Sequence, residues 1–292
     1  MTEAIALNAV TKNFGNVEAV RGITLSVPQG EAFCLLGPNG AGKTTTINLM
    51  LGLIRPTAGS VSLFGHPPHS RAARHRIGLV AQDTDFPETL TPREILHLVR
   101  AHYPDPVSED ELIDSFGLAG IADRQTGGFS GGQRRRLGLA LAFAGRGKVI
   151  FLDEPTTGLD ATAREAFWTY AQDRRDHGAT LVITTHYLHD IEAIAERICL
   201  IDDGLVRLDG SVSEIRSRIQ RRIVRFQTDV DMSLDRYGPH QRDGAIVTFS
   251  TADADILVTN LIRDGVAFSE LEVLTASLEE AIAAIGSRDE EP

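Results

Sequence analysis

Gly37-Pro38-Asn39-Gly40-Ala41-Gly42-Lys43-Thr44 decides the reading of this chain. It fits the pattern G-x-x-x-x-G-K-[ST], a glycine loop whose backbone N–H groups wrap phosphates. In that pattern the lysine reaches the β and γ groups and the hydroxyl of Thr44 binds Mg²⁺. Glycine is required because a Cβ would block the approach of the backbone. The loop leaves an apolar strand, Ala32 to Leu36, and runs into a helical pattern from Lys43 to Leu53 with apolar Ile47, Leu49, Met50 and Leu53. Strand, glycine loop, helix is the order that phosphate binding needs. Lys43 is one of only three lysines in the chain, beside 26 arginines, so a chance match is rare.

Working outward, the first residues read as short strands at 5–10, 20–27 and 31–36, broken by Gly15, Gly22 and Pro28-Gln29-Gly30, an antiparallel lead-in to the loop. Arg76 to Ala81 reads as a strand and Pro92 to Ala101 as a helix, opened by Thr91 and Glu94 as a capping box with Pro92 at the first helical position. Residues 108–117 and 131–144 read as further helices. Two almost wholly apolar runs, Val149 to Leu152 and Thr180 to Thr184, flank a helix at 161–177, as parallel strands buried on both faces would. A helix at 188–196 and strands at 197–202 and 204–208 follow. After a helix at 212–218 the pattern changes to strands at 222–228, 245–250 and 266–274 with helices at 254–263 and 277–285. This predicts an α/β domain over 1–216 and a small α+β domain over 217–292.

The strand Val149 to Leu152 ends in Asp153 and Glu154. Open α/β sheets place ligands at the carboxyl ends of their strands, and paired carboxylates there have no structural use. Asp153 is placed to hold Mg²⁺, and Glu154 to polarise an attacking water. With the phosphate loop they predict a nucleotide hydrolase. Phe129-Ser130-Gly131-Gly132-Gln133 opens the helix at 131–144. Ser130 is a good N-cap, and the glycines expose a helix N-terminus that attracts anions.

Composition narrows the class. With 29 Lys and Arg against 40 Asp and Glu, the net charge of −11 disfavours a nucleic-acid binder. The expected reading of Arg134, Arg135 and Arg136 is therefore a salt-bridged helix face. Cys34 and Cys199 form no CxxC pair, which excludes a zinc site or disulfide framework. His66, His69 and His75 are irregularly spaced with no carboxylate or thiolate nearby and read as a solvated loop. Met1 to Ile5 lacks a basic start and apolar core, so no leader is expected. The longest apolar-rich stretch, Leu137 to Ala144, falls far short of the roughly 18 to 20 residues that cross a bilayer.

Taken together, GPNGAGKTT, FSGGQ, VIFLDEPTTGLD and ITTH, in that order, resemble the ABC-type ATPase family, over about residues 4–216. The resemblance implies a P-loop NTPase core with a helical subdomain, ATP and Mg²⁺ as ligands, and further site residues. Gln82 matches the Q-loop that contacts Mg²⁺ or water, and His186 the switch histidine beside the γ-phosphate. Asp160 matches the D-loop at the dimer interface, and Phe14 the aromatic that stacks on adenine. Thr45 follows Thr44 in the family's loop. Ser130, Gly131, Gly132 and Gln133 of one protomer are expected to close over the ATP held by its partner, which is a second copy or a paralogous ATPase.

Two strings, TTHYLHDIEAIAERI and LTASLEEAIAAIG, look like the ATPase subunits of drug-resistance and multidrug exporters. They imply a separate transmembrane permease and a cytoplasmic position, peripheral on the membrane. The alternatives are a soluble ABC-type ATPase acting on ribosomes or nucleic acid, and an importer ATPase.

Overall fold

The structure is a computed structural model and describes residues 2–81, 84–185, 194–218, 222–228, 234–251 and 253–275. The chain divides into two units, Met1–Gly210 and Ser211–Pro292. The helix expected at 212–218 groups with the second unit, so that unit begins at Ser211 rather than at 217.

The first unit opens with β1 (Glu3–Phe14) and β2 (Val17–Pro28), then β3 (Ala32–Leu36) and α1 (Lys43–Met50). β4 (Ala58–Leu63), the four-residue α2 (Arg71–Arg74), β5 (Ile77–Val80) and α3 (Pro92–Arg100) follow. Next come α4 (Glu109–Ser115), α5 (Gly131–Phe143), β6 (Val149–Asp153), α6 (Ala161–Asp176), β7 (Thr180–Thr184), β8 (Arg197–Asp202) and β9 (Leu205–Ser211). Two sheets result. One is antiparallel in the order β2-β1-β4; the other has the order β5-β6-β7-β3-β8-β9, with every pairing from β5 through β8 parallel. In β3, β6 and β7 the apolar runs are buried on both faces, as expected of parallel strands between layers. Phe33, Leu35, Phe151 and Val182 share one core cluster with Ile47, Leu49 and Met50 of α1 and with Ile5, Leu7 and Leu25 of the antiparallel sheet.

α1 stops at Met50, three residues before the expected end, because Gly52 turns left-handed at φ 67° and closes the helix; Leu53 is exposed. α3 carries the expected capping box, with the Thr91 side chain accepting from the Glu94 N–H and Pro92 in the first turn. The helices α4, α5 and α6 meet through Phe116, Phe143 and Tyr170, whose rings lie 5.1–5.8 Å apart. α5 is apolar almost all round from Leu137 to Phe143 and is buried accordingly. Its backbone presses against β5: a Cβ added at Gly78 would lie 1.9 Å from the Ala142 carbonyl oxygen. Gly78→Ala is expected to cost about 1–3 kcal/mol as the helix is forced off the strand. A lower urea unfolding midpoint of the full chain is the measurement.

The second unit contains α7 (Val212–Arg218), β10 (Arg222–Gln227), β11 (His240–Asp243), β12 (Ile246–Thr251), α8 (Ala254–Arg263) and β13 (Ser269–Thr275). Its sheet is antiparallel in the order β11-β12-β10-β13. Val224, Phe226, Val247 and Phe249 pack with Leu257 and Leu261 of α8. The helix expected at 277–285 and nearly all of the one at 188–196 lie outside the described residues.

Candidate functional site: a phosphate loop beside paired carboxylates

Because β3, β6 and β7 are parallel neighbours in the order β6-β7-β3, their carboxyl ends share one edge of the sheet. The glycine loop leaves β3 there, Asp153 ends β6, and Thr184 ends β7. Residues 37–44, Asp153 and Glu154, far apart in sequence, are thus brought to one rim.

Two glycines shape the loop. Gly37, at φ 150°, would place a Cβ 2.0 Å from the Ile201 carbonyl oxygen, and Gly42, at φ 100°, one 2.4 Å from the Ala19 carbonyl oxygen. Neither position accepts a side chain, so the backbone is bare at both ends of the loop. Gly42 is also the N-cap of α1 and gives it no side-chain cap bond; free N–H groups at a helix start attract anions. The Lys43 ammonium bridges back over the loop, donating to the carbonyls of Gly37 at 2.7 Å and Pro38 at 2.9 Å. Burial lowers the pKa of Lys43 from its ordinary value, and Glu154 and Asp153 pull it back up. Thr44 is exposed and Thr45 half-buried, while Thr46 is buried and bonds the Gly42 carbonyl at 2.9 Å. Pro38, Asn39, Gly40 and Ala41 complete the loop.

The Asp153 carboxylate and the backbone of Glu154 are held by groups outside the motifs. Thr184 Oγ1 donates to Asp153 Oδ1, and the Glu154 N–H donates to the Thr184 carbonyl at 3.0 Å. Glu154 has φ 49°, a left-handed conformation that costs a non-glycine residue roughly 1–3 kcal/mol and collects at functional sites. Arg135 corrects an expectation. It is not on a solvated salt-bridged face but 9% exposed, donating to the backbone carbonyls of Ala81, Asp153, Glu154 and Pro155. Its burial was available in the spacing: Arg135 shares a helical stripe with Gly138 and Ala142.

Ser130 caps α5, with a reciprocal bond: Gln133 N–H donates to Ser130 Oγ at 3.3 Å and Ser130 N–H to Gln133 Oε1 at 3.0 Å. Gln133 Oε1 also accepts from Arg124 at 2.9 Å, so this side chain serves the cap. Ser130 and Gly131 are exposed, and Gly132 is half-buried. Asp160 is exposed and caps α6 through the Ala163 N–H at 2.8 Å. Phe14 is 50% exposed, with the Lys12 ammonium 5.0 Å from its ring centre. Gln82 and His186 lie outside the described residues.

A glycine loop that admits no Cβ at Gly37 or Gly42, a lysine aimed across it and strand-end carboxylates fit a nucleoside triphosphate. The hydroxyl of Thr44 and the carboxylate of Asp153 are hard oxygen donors of the kind Mg²⁺ takes. A family model described as ABC transporter matches residues 20–157. The chain is 37% identical over 233 residues to the daunorubicin/doxorubicin resistance ATP-binding protein DrrA of Streptomyces peucetius, spanning 77% of this chain and 71% of that protein. The chain belongs to the ABC transporter family. This ABC ATP-binding subunit is also 41% identical over 210 residues to Nod factor export ATP-binding protein I of Burkholderia lata, 69% of each chain.

Among solved structures it is similar to an ATP-binding subunit of an ABC transporter, with TM-score 0.69 and 26% identity over 74% of this chain and 92% of that one. It is likewise similar to a dimeric ATP-binding cassette in a post-hydrolysis state bound to ADP and Pi, with TM-score 0.65 and 27% identity over 71% and 98%. The ABC subunit is accordingly an ATPase with the P-loop α/β fold. Among the described residues no helix is long and apolar enough to cross a membrane.

Proposed function

We propose that this ABC subunit hydrolyses ATP in a head-to-tail dimer, on the cytoplasmic face of a membrane, to drive export through a separate permease. The observation that carries the hydrolytic part is the sheet rim to which parallel β3 and β6 bring the glycine loop with Lys43 and the pair Asp153 and Glu154. Export rests on the likeness to DrrA and to the Nod factor export protein, the first named for drug resistance and the second for export.

In this reading the loop N–H groups and Lys43 bind the triphosphate, and Phe14 offers its exposed ring to the adenine. Thr44 and Asp153 would hold Mg²⁺, with Gln82 as a further contact, and the ion would supply neutralisation of the triphosphate charge. Glu154 orients the attacking water and accepts its proton, and His186 supports Glu154 at the γ-phosphate. Phosphoryl transfer demands positioning and charge neutralisation more than covalent help, which this set supplies. Ser130, Gly131 and Gly132 close over the partner's ATP with the N-terminus of α5, and Asp160 lies at the dimer contact. No nucleic acid enters the cycle.

Purification of the tagged chain from detergent-solubilised membranes of its host tests the proposal. Recovery of a multi-spanning protein in near-equal amount is the expected result. Recovery of ribosomes or nucleic acid in its place contradicts it.

A further inference from the structure

The Arg135 side chain is buried, and among the described residues its donors spread over four main-chain carbonyls on two segments. Nη1 donates to Ala81, just past β5, at 2.7 Å; Nη2 to Asp153 at 2.6 Å and to Glu154; and Nε to Pro155 at 3.0 Å. Three consecutive carbonyls converge on one cation only where the chain turns back on itself, and the left-handed Glu154 is at that turn. The amide of Glu154 is held from the other side by the Thr184 carbonyl at the end of β7. Glu154 is therefore clamped between β7, through its N–H, and α5, through its C=O.

We infer that Arg135 is a positioning residue for hydrolysis: it fixes the backbone of Glu154 and ties that geometry to α5, the helix that begins at Gly131. The inference rests on the role proposed above for Glu154. Arg135 sits in the second turn of α5, so a shift of the helix that carries Ser130, Gly131 and Gly132 moves the guanidinium, and with it the carbonyls at 153–155. Placement of α5 and placement of Glu154 become one event. A planar guanidinium with five N–H donors spans carbonyls on two segments, whereas a lysine ammonium is a single point with three.

The test uses the full chain and four variants: Arg135→Gln, Arg135→Lys, Glu154→Gln, and Arg135→Gln combined with Glu154→Gln. ATP affinity and single-turnover hydrolysis of MgATP with protein in excess are measured for each. Arg135→Gln is expected to slow hydrolysis at least about tenfold with ATP affinity changed less than about threefold, and Arg135→Lys to recover part of that rate. On the Glu154→Gln background, Arg135→Gln is expected to lower the residual rate by less than about twofold, because the group it places has gone.

A wild-type rate in Arg135→Gln overturns the inference. So does a loss that recurs in full on the Glu154→Gln background, which is what a merely fold-supporting arginine gives. Should Arg135→Gln also lose ATP binding, Arg135→Lys decides by the same criteria. The role of Glu154 fails separately, if Glu154→Gln alone turns over at the wild-type rate.

Discussion

Glu154→Gln is expected to lower the rate of ATP hydrolysis at least about a hundredfold while leaving ATP affinity within about threefold of wild type. The substitution keeps volume and hydrogen bonding but removes the negative charge and the proton acceptor. The strand-end backbone is untouched, since the Glu154 N–H still bonds Thr184 and its carbonyl still receives Arg135. Binding is expected to persist because the groups proposed to hold the triphosphate, the loop amides and Lys43, belong to a different strand end. Steady-state phosphate release beside equilibrium ATP binding separates the two effects. Equal losses in both would place Glu154 in binding rather than in chemistry.

Lys43→Ala has the opposite signature. Its ammonium is half-buried and already bonds the carbonyls of Gly37 and Pro38, so it is pre-positioned across the loop. Loss of a charge-assisted hydrogen bond in such a site costs about 1.5–3 kcal/mol, or roughly ten- to a hundredfold in ATP affinity. The loss should be far smaller for adenosine, which carries no phosphate. Titration calorimetry with the two ligands is the check; ATP affinity near that of wild type would show that Lys43 does not meet the phosphates.

The residues that announce this fold are those whose chemistry is local. Gly37 to Thr44 shows in sequence because steric demands at Gly37 and Gly42 allow no other residue, and β3, β6 and β7 show because burial on both faces leaves an unbroken apolar run. Thr91 and Glu94 show because a capping box closes within four residues. β4, Ala58-Gly-Ser-Val-Ser-Leu63, has no such signature: it is a strand because β1 supplies a partner, with Ile5 opposite Leu63 and Leu7 opposite Val61. β11, the polar His240-Gln-Arg-Asp243, is an edge strand made by pairing with β12 alone.

The site divides in the same way. Lys43, Asp153 and Glu154 follow from motif and strand end, but the groups that hold the Asp153 carboxylate and the Glu154 backbone do not. Thr184 closes an apolar strand and reads as part of it; its bond to Asp153 exists only because β6 and β7 are neighbours. Arg135 lies among three arginines, and charge alone suggests solvent. Only the stripe it shares with Gly138 and Ala142, and the close approach of α5 to β5 at Gly78, turn it inward.

The central claim is that ATP joins two copies of the site, with the loop of one facing the α5 N-terminus of the other. The mass of the Glu154→Gln chain in solution, by light scattering with and without saturating MgATP, tests it most directly. Twice the 31.7 kDa chain mass is expected with ATP and the single-chain mass with ADP. A single-chain mass in ATP, with nucleotide bound, would contradict it.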